Sequence, residues 1–311
     1  MSSMDLVLSE KYKAFLKCQT PVEFLEGTTA AGKTTVGIFK FMLKVAQSPK
    51  KLHILAADDT GTAEKNIINK DLGILDDFGS LVEYNGSGTK DDKIPHILFH
   101  TSSGDKTIYV LGYGNKKKWK KALGGQYGCL YIDEINTADI DFVREASMRC
   151  DYLMATLNPD DPSLDVYKEY INCSRPLPEW EADTPQEIKD ELKEEPKPGW
   201  VHWFFSFDDN AGLPEEKKKQ IIQNTPKGTK IYKNTKGKSN RSCVQHLPAP
   251  AACPYKGMGK TICTKTGRTQ ETRNFHVVFG SSRYLILPEI PGHNCFFLSW
   301  DHKQGKMHRP G

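Results

Sequence analysis

The chain has 311 residues, with 43 basic and 39 acidic side chains and a formal charge of +4. That length holds one large domain or two smaller ones, and no apolar stretch approaches the ~20 residues a membrane-spanning helix needs. Residues 1–5 lack the basic-then-apolar order of a secretory signal, and the eight cysteines include no CxxC pair, so a cytoplasmic chain with reduced thiols is expected.

In chain order, residues 1–20 read as a short helical lead-in, and the apolar run 22–25 as a strand. The next residues are Gly27, Thr28, Thr29, Ala30, Ala31, Gly32, Lys33 and Thr34. They fit GxxxxGK[ST], in which the N–H groups of a glycine-rich turn wrap nucleotide phosphates. In this pattern Lys33 reaches the β- and γ-phosphates, and the Thr34 hydroxyl joins the shell of a Mg²⁺ ion. Thr35 completes the expected ATP-binding set. Val36, Phe39, Met42, Leu43 and Ala46 recur at helical spacing, predicting a helix over 33–46 whose N-terminus faces the anion.

Further strands are expected at 52–56, 107–111, 129–132, 152–157 and 201–205, with helices over 61–70 and 138–149. Strands alternating with helices predict an α/β fold, a mostly parallel sheet flanked by helices. The Pro- and Glu-rich segment 176–198 reads as an exposed connector with a helix at 185–194, and 214–223 as a last helix. The strand at 129–132 runs into Asp133-Glu134. An acid at the carboxyl end of such a strand suits Mg²⁺, and its free neighbour suits a general base. Asp133 is thus the candidate metal-side acid and Glu134, with Lys33, the candidate catalytic residue. Thr156 and Asn158, at the end of the next strand, are candidates to sense the γ-phosphate. Asn158-Pro159 also suits a plain turn.

Residues 116–121, Lys-Lys-Lys-Trp-Lys-Lys, suit either DNA phosphates or, as the favoured reading, a solvated loop anchored by Trp119. From residue 235 the composition changes. Residues 235–311 carry 12 Lys/Arg against three acids (Glu271, Glu289, Asp301), leaving the rest of the chain net acidic. One P-loop ATPase domain over 1–234 and an atypical, poorly ordered basic tail over 235–311 are expected. In the tail 285–287 is the one strand nucleus. A zinc site from Cys243, Cys253, Cys263 and Cys295 is weakly supported, because no pair has short ligand spacing.

Four motifs keep a common order: Trp119-Lys120-Lys121-Ala122-Leu123-Gly124-Gly125, Tyr131-Ile132-Asp133-Glu134-Ile135-Asn136, Thr156-Leu157-Asn158-Pro159-Asp160-Asp161-Pro162 and Asp208-Asp209-Asn210. Together they resemble the large terminase subunit of tailed bacteriophages and prophages, in its PBSX-like branch, over about residues 10–233. The resemblance implies a RecA-like core and ATP-driven packaging of double-stranded DNA into procapsids in the bacterial host. It also implies a homo-oligomeric ring on the portal protein, with DNA brought by the small terminase subunit. Thr156 and Asn158 match the coupling motif of the family. Many members carry an arginine within the phosphate loop, where this chain has Ala30 and Ala31. That leaves Arg144 and Arg149 as candidate arginine fingers. Members also continue into an RNase H-like nuclease domain with clustered acids, which the tail does not match. The expectation is a motor lacking endonuclease activity, its nuclease replaced through a frameshift or recombination. A diverged basic domain is the alternative for the tail. For the whole chain the alternatives are an inactive prophage remnant that binds nucleotide and another RecA-like DNA-dependent ATPase.

Overall fold

A computed structural model describes residues 8–224, 299–301 and 306–308. Helix α1 (Glu10–Lys17) opens on Ser9, whose hydroxyl accepts from the Tyr12 N–H, and buries Tyr12 and Phe15. Strand β1 (Val22–Gly27) is buried along its whole length. It leads into α2 (Lys33–Gln47) and then β2 (Leu52–Ala57). After β2 the chain makes α3 (Thr60–Ala63), a π-helical turn at Glu64–Ile68 and α4 (Ile74–Phe78). Next come β3 (Val82–Asn85), β4 (His96–Thr101), β5 (Gly104–Gly112) and α5 (Lys116–Ala122). The second half adds β6 (Tyr127–Ile132), α6 (Ile140–Ser147), β7 (Cys150–Leu157), α7 (Asp165–Glu169), α8 (Gln186–Glu191), β8 (Trp200–Phe205) and α9 (Glu215–Asn224).

Eight strands form one sheet in the order β3-β4-β5-β2-β6-β7-β1-β8. All pairs from β5 to β8 are parallel, and β4 runs against both of its neighbours. This is the expected mostly parallel sheet. The central strands read as near-continuous apolar runs because helices cover both faces. On one face α2 lies across β1, β7 and β6, with Gly37 against Leu25, Met154 and Tyr131. On the other, Phe24, Leu130, Ile132 and Ala155 share a core with Trp119, Phe142, Val143 and Tyr167.

The described residues depart from expectation in four places. Residues 61–70 do not form one α-helix. The turn widens at Glu64, whose carbonyl accepts the Asn69 N–H at 2.8 Å, and whose carboxylate is tied to the Tyr84 hydroxyl at 2.6 Å. Residues 116–121 are helical, not a loop; Trp119 is an anchor, 1% exposed and edge-on to Phe142. Strands β3 and β4 were not expected, because their half-exposed pattern lacks a continuous apolar run. The connector 176–198 holds only Pro178–Asp183 as a 3-10 turn and the short α8.

Cys18, Cys129, Cys150 and Cys173 are free thiols. Among the described residues no helix is long and apolar enough to cross a membrane. Separately, β9 (Ser299–Asp301) and β10 (Lys306–His308) form an antiparallel pair. The expected strand at 285–287 and the four cysteines of the tail lie outside the described residues.

Candidate active site at the carboxyl edge of the sheet

Strand β1 ends at Gly27, where nothing larger fits. A Cβ at Gly27 would lie 1.8 Å from the Phe205 carbonyl oxygen, and the Thr28 N–H donates to that same oxygen at 3.0 Å. The loop then turns through two left-handed residues, Ala30 (φ 63°) and Gly32 (φ 90°). For Ala30 this conformation is strained, and the surroundings hold it. The Ala31 carbonyl accepts from the Tyr12 hydroxyl at 2.8 Å, and the Ala30 carbonyl from Asn210 Nδ2 at 2.9 Å. Tyr12 is itself stacked on Phe205 at 4.2 Å. Asn210 follows a turn closed by Asp209, which accepts from both the N–H and the hydroxyl of Ser206.

Gly32 begins α2 without a side-chain cap. The first N–H groups of the helix, at Lys33, Thr34 and Thr35, therefore point at the cavity with no intrahelical acceptor. The Thr28 hydroxyl is buried without a partner among the described residues. The uncapped helix start fits an anion seated in the loop.

Lys33, 8% exposed, donates to the carbonyls of Gly27 (2.9 Å) and Thr28 (2.8 Å) and to Asn158 Oδ1 (3.1 Å). Burial lowers its ammonium to about 8 from the usual 10.5, against the pull of Glu26, Asp133 and Glu134.

Facing the loop, β6 delivers the two acids. Asp133 Oδ1 accepts from Thr156 (2.6 Å), Tyr131 (3.3 Å) and Thr34 (3.4 Å). Glu134 adopts the left-handed region (φ 50°, ψ 52°), which turns its side chain off the line of the strand. Its N–H donates to Thr156 Oγ1 at 3.3 Å. One threonine hydroxyl thus binds both acidic residues. Burial, and then the Asp133 carboxylate, raises the Glu134 carboxyl above its ordinary range, while Lys33 opposes them.

These groups share one cavity of about 270 Å³, lined by residues 29–35, Lys70, Glu134, Thr156, Leu157 and Asn158. The geometry therefore brings the glycine-rich loop, Glu134, Thr156 and Asn158 to one cavity, with Asp133 hydrogen-bonded to Thr34 and Thr156. The Thr34 hydroxyl and the Asp133 carboxylate are hard oxygen donors of the kind that hold Mg²⁺ when water and phosphate supply the remaining positions.

Arg144 and Arg149 do not line this cavity. Arg144 is held by Glu169 and Asp141. Arg149 is paired with Glu145 beside the first residues of β6 and β7, the end of these strands remote from Asp133 and Thr156. Neither candidate arginine therefore reaches the cavity of its own subunit. Sequence reasoning missed Tyr12, Lys70 and Asn210. Of these only Asn210 had a signal, as part of the Asp208-Asp209-Asn210 motif.

No protein-family model matches the sequence, and no curated protein matches it significantly. Solved structures do match. The large terminase of a thermophilic bacteriophage in complex with ATP-gamma-S is 18% identical, with a TM-score of 0.53 over 73% of this chain and 51% of that one. The same terminase in complex with ADP is 19% identical, with a TM-score of 0.52 over 73% and 52%. This chain spans about half the length of those structures. The fold observed here, a mostly parallel α/β sheet flanked by helices, is shared with these solved large terminases.

Proposed function

We propose that this chain is the ATP-hydrolysing motor subunit of a phage packaging machine. It would drive double-stranded DNA into a procapsid in the bacterial cytoplasm, as a homo-oligomeric ring on the portal protein, with DNA delivered by a small terminase subunit. One observation carries the reading. The uncapped start of α2 with its buried lysine and the Asp133–Glu134 pair meet at one edge of a sheet shared with terminases whose structures hold ATP-gamma-S or ADP.

The residues then divide the work. The N–H groups of the loop and of the first turn of α2 hold the phosphates, and Lys33 leaves its carbonyl partners to reach them. Thr34 and Asp133 would hold Mg²⁺, whose chemistry is to neutralise the charge that builds on the phosphate oxygens. Glu134, its carboxyl raised by burial, orients a water and takes its proton. Thr156 touches both acids and Asn158 touches Lys33. Loss of the terminal phosphate is thereby felt along β7, which lies between β1 and β6.

The test is ATP turnover by the purified chain with and without duplex DNA. Wild type is expected to hydrolyse ATP, faster with DNA, and Lys33→Ala to abolish hydrolysis. Undiminished turnover in Lys33→Ala would reject the site.

A further inference from the structure

Outside the residues assigned above, the cavity has one more cation among its lining residues, Lys70. It reaches the cavity from the far end of the β2 crossover, where the chain leaves the π-helical turn. That turn is fixed in place. Ile67 and Ile68 are fully buried, and Glu64 is tied to Tyr84. The Lys70 backbone is fixed too. Its carbonyl accepts from the Gly73 N–H at 2.9 Å, and a Cβ at Gly73 would come within 2.7 Å of the same oxygen. A π turn re-aims the residues after it relative to a regular helix, and such turns cluster at functional sites.

The Lys70 ammonium is half-buried and donates to the Thr35 hydroxyl at 3.0 Å. Among the described residues no carboxylate forms an ion pair with it. Burial lowers its ammonium from the ordinary lysine value, and the fields of Asp133 and Asp77 oppose this. A partly desolvated ammonium resting on a neutral hydroxyl is costly unless an anion comes to it. The cavity also needs positive charge. Asp133 and Glu134 contribute two carboxylates and a polyphosphate adds several more negative charges, which Lys33 together with the Mg²⁺ proposed above would offset only in part.

We propose that Lys70 is a second phosphate-binding cation of this cavity, contacting the polyphosphate from the Thr35 side while Lys33 contacts it from the loop. This rests on the nucleotide reading above, and it gives a role to a residue that sequence motifs do not single out.

Equilibrium titration of ATP and ADP into the full chain by calorimetry tests it. The variants are Lys33→Ala, Lys70→Ala, Lys70→Met (which keeps the aliphatic stem) and Lys70→Arg. Removing the Lys70 charge is expected to weaken binding of both nucleotides by about tenfold or more, the scale of a charge-assisted hydrogen bond. Lys70→Arg is expected to stay within about threefold of wild type, since it keeps a donor cation at the same place. Thermal midpoints unchanged from wild type separate lost contact from lost folding, and Lys70→Met guards against a packing defect in the alanine variant. Wild-type affinity in Lys70→Ala or Lys70→Met, beside lost binding in Lys33→Ala, overturns the role of Lys70 alone. Failure of the wild-type chain to bind either nucleotide overturns the nucleotide reading, and the role of Lys70 falls with it.

Discussion

Lys33 carries two opposing consequences of burial. Its ammonium sits at about 8 in the folded chain against 10.5 for a solvated lysine. Between these values the unfolded chain keeps a proton that the folded chain has released, so the contribution of Lys33 to folding stability rises with pH across that window. Phosphate binding runs the other way, because it needs the charged form. With a midpoint of about 8, roughly nine-tenths of the folded molecules carry the charge at pH 7 and roughly one-tenth at pH 9. Nucleotide affinity is therefore expected to fall by about tenfold from pH 7 to pH 9, as measured by titration at fixed ionic strength. A Kd that stays flat over that range would mean that Lys33 keeps its proton or does not touch the phosphates. The residues of this site that were legible in the sequence are those close together in it. Gly27 to Thr34 and Asp133-Glu134 are short strings whose chemistry is local. Tyr12 and Lys70 act on the loop across long stretches of chain, through contacts that only the fold creates.

At the level of elements, the cradle is only as rigid as the seating of α2 on the sheet. That seating includes a buried ion pair. Lys40 of α2 lies 2.6 Å from Glu23 of β1, with the two side chains 1% and 0% exposed. Tyr152 OH (2.6 Å) and Trp203 Nε1 (3.1 Å) also donate to the Glu23 carboxylate, and Lys40 reaches the Phe15 carbonyl at 2.5 Å. Four elements, α1, α2, β7 and β8, thus converge on one ion pair anchored in β1. The net worth of such a pair against an apolar core is small, but breaking one half strands a charge in the core. Lys40→Met is expected to cost about 3–5 kcal/mol in urea unfolding, and adding Glu23→Gln to recover part of that. A loss under about 1 kcal/mol would show that the Tyr152 and Trp203 donors alone satisfy the carboxylate. Sequence periodicity placed the buried parallel strands, because burial on both faces leaves continuous apolar runs. It did not expect β3 and β4, whose half-exposed pattern resembles that of a loop. It also read the π turn at Glu64–Ile68 as plain helix, since the widening depends on Tyr84 twenty residues away.

For the whole molecule, the order of strands decides what one copy can supply to its own site. Strand β7 separates β1 from β6, so the loop and the acids face each other across it, and Thr156 and Asn158 stand between them. The same order puts Arg149 at the opposite end of the strands, while Glu169 and Asp141 occupy Arg144. Among the described residues the cavity is lined by lysines and no arginine. In P-loop hydrolases an arginine that stabilises the transition state is worth about 10³–10⁵ in rate and is often supplied by a neighbouring molecule. In the ring proposed above, every site would have such a neighbour. If a second copy supplies the missing guanidinium, ATP turnover per subunit should rise with protein concentration and level off once assembly is complete. Assembly is followed in parallel by sedimentation. Mixing in an excess of a Lys33→Ala chain should then still stimulate wild-type subunits, because the donor of an arginine need not bind nucleotide itself. Turnover per subunit that stays constant over two decades of concentration, in a chain that sedimentation shows to assemble over that range, would place all the catalytic charge within one copy.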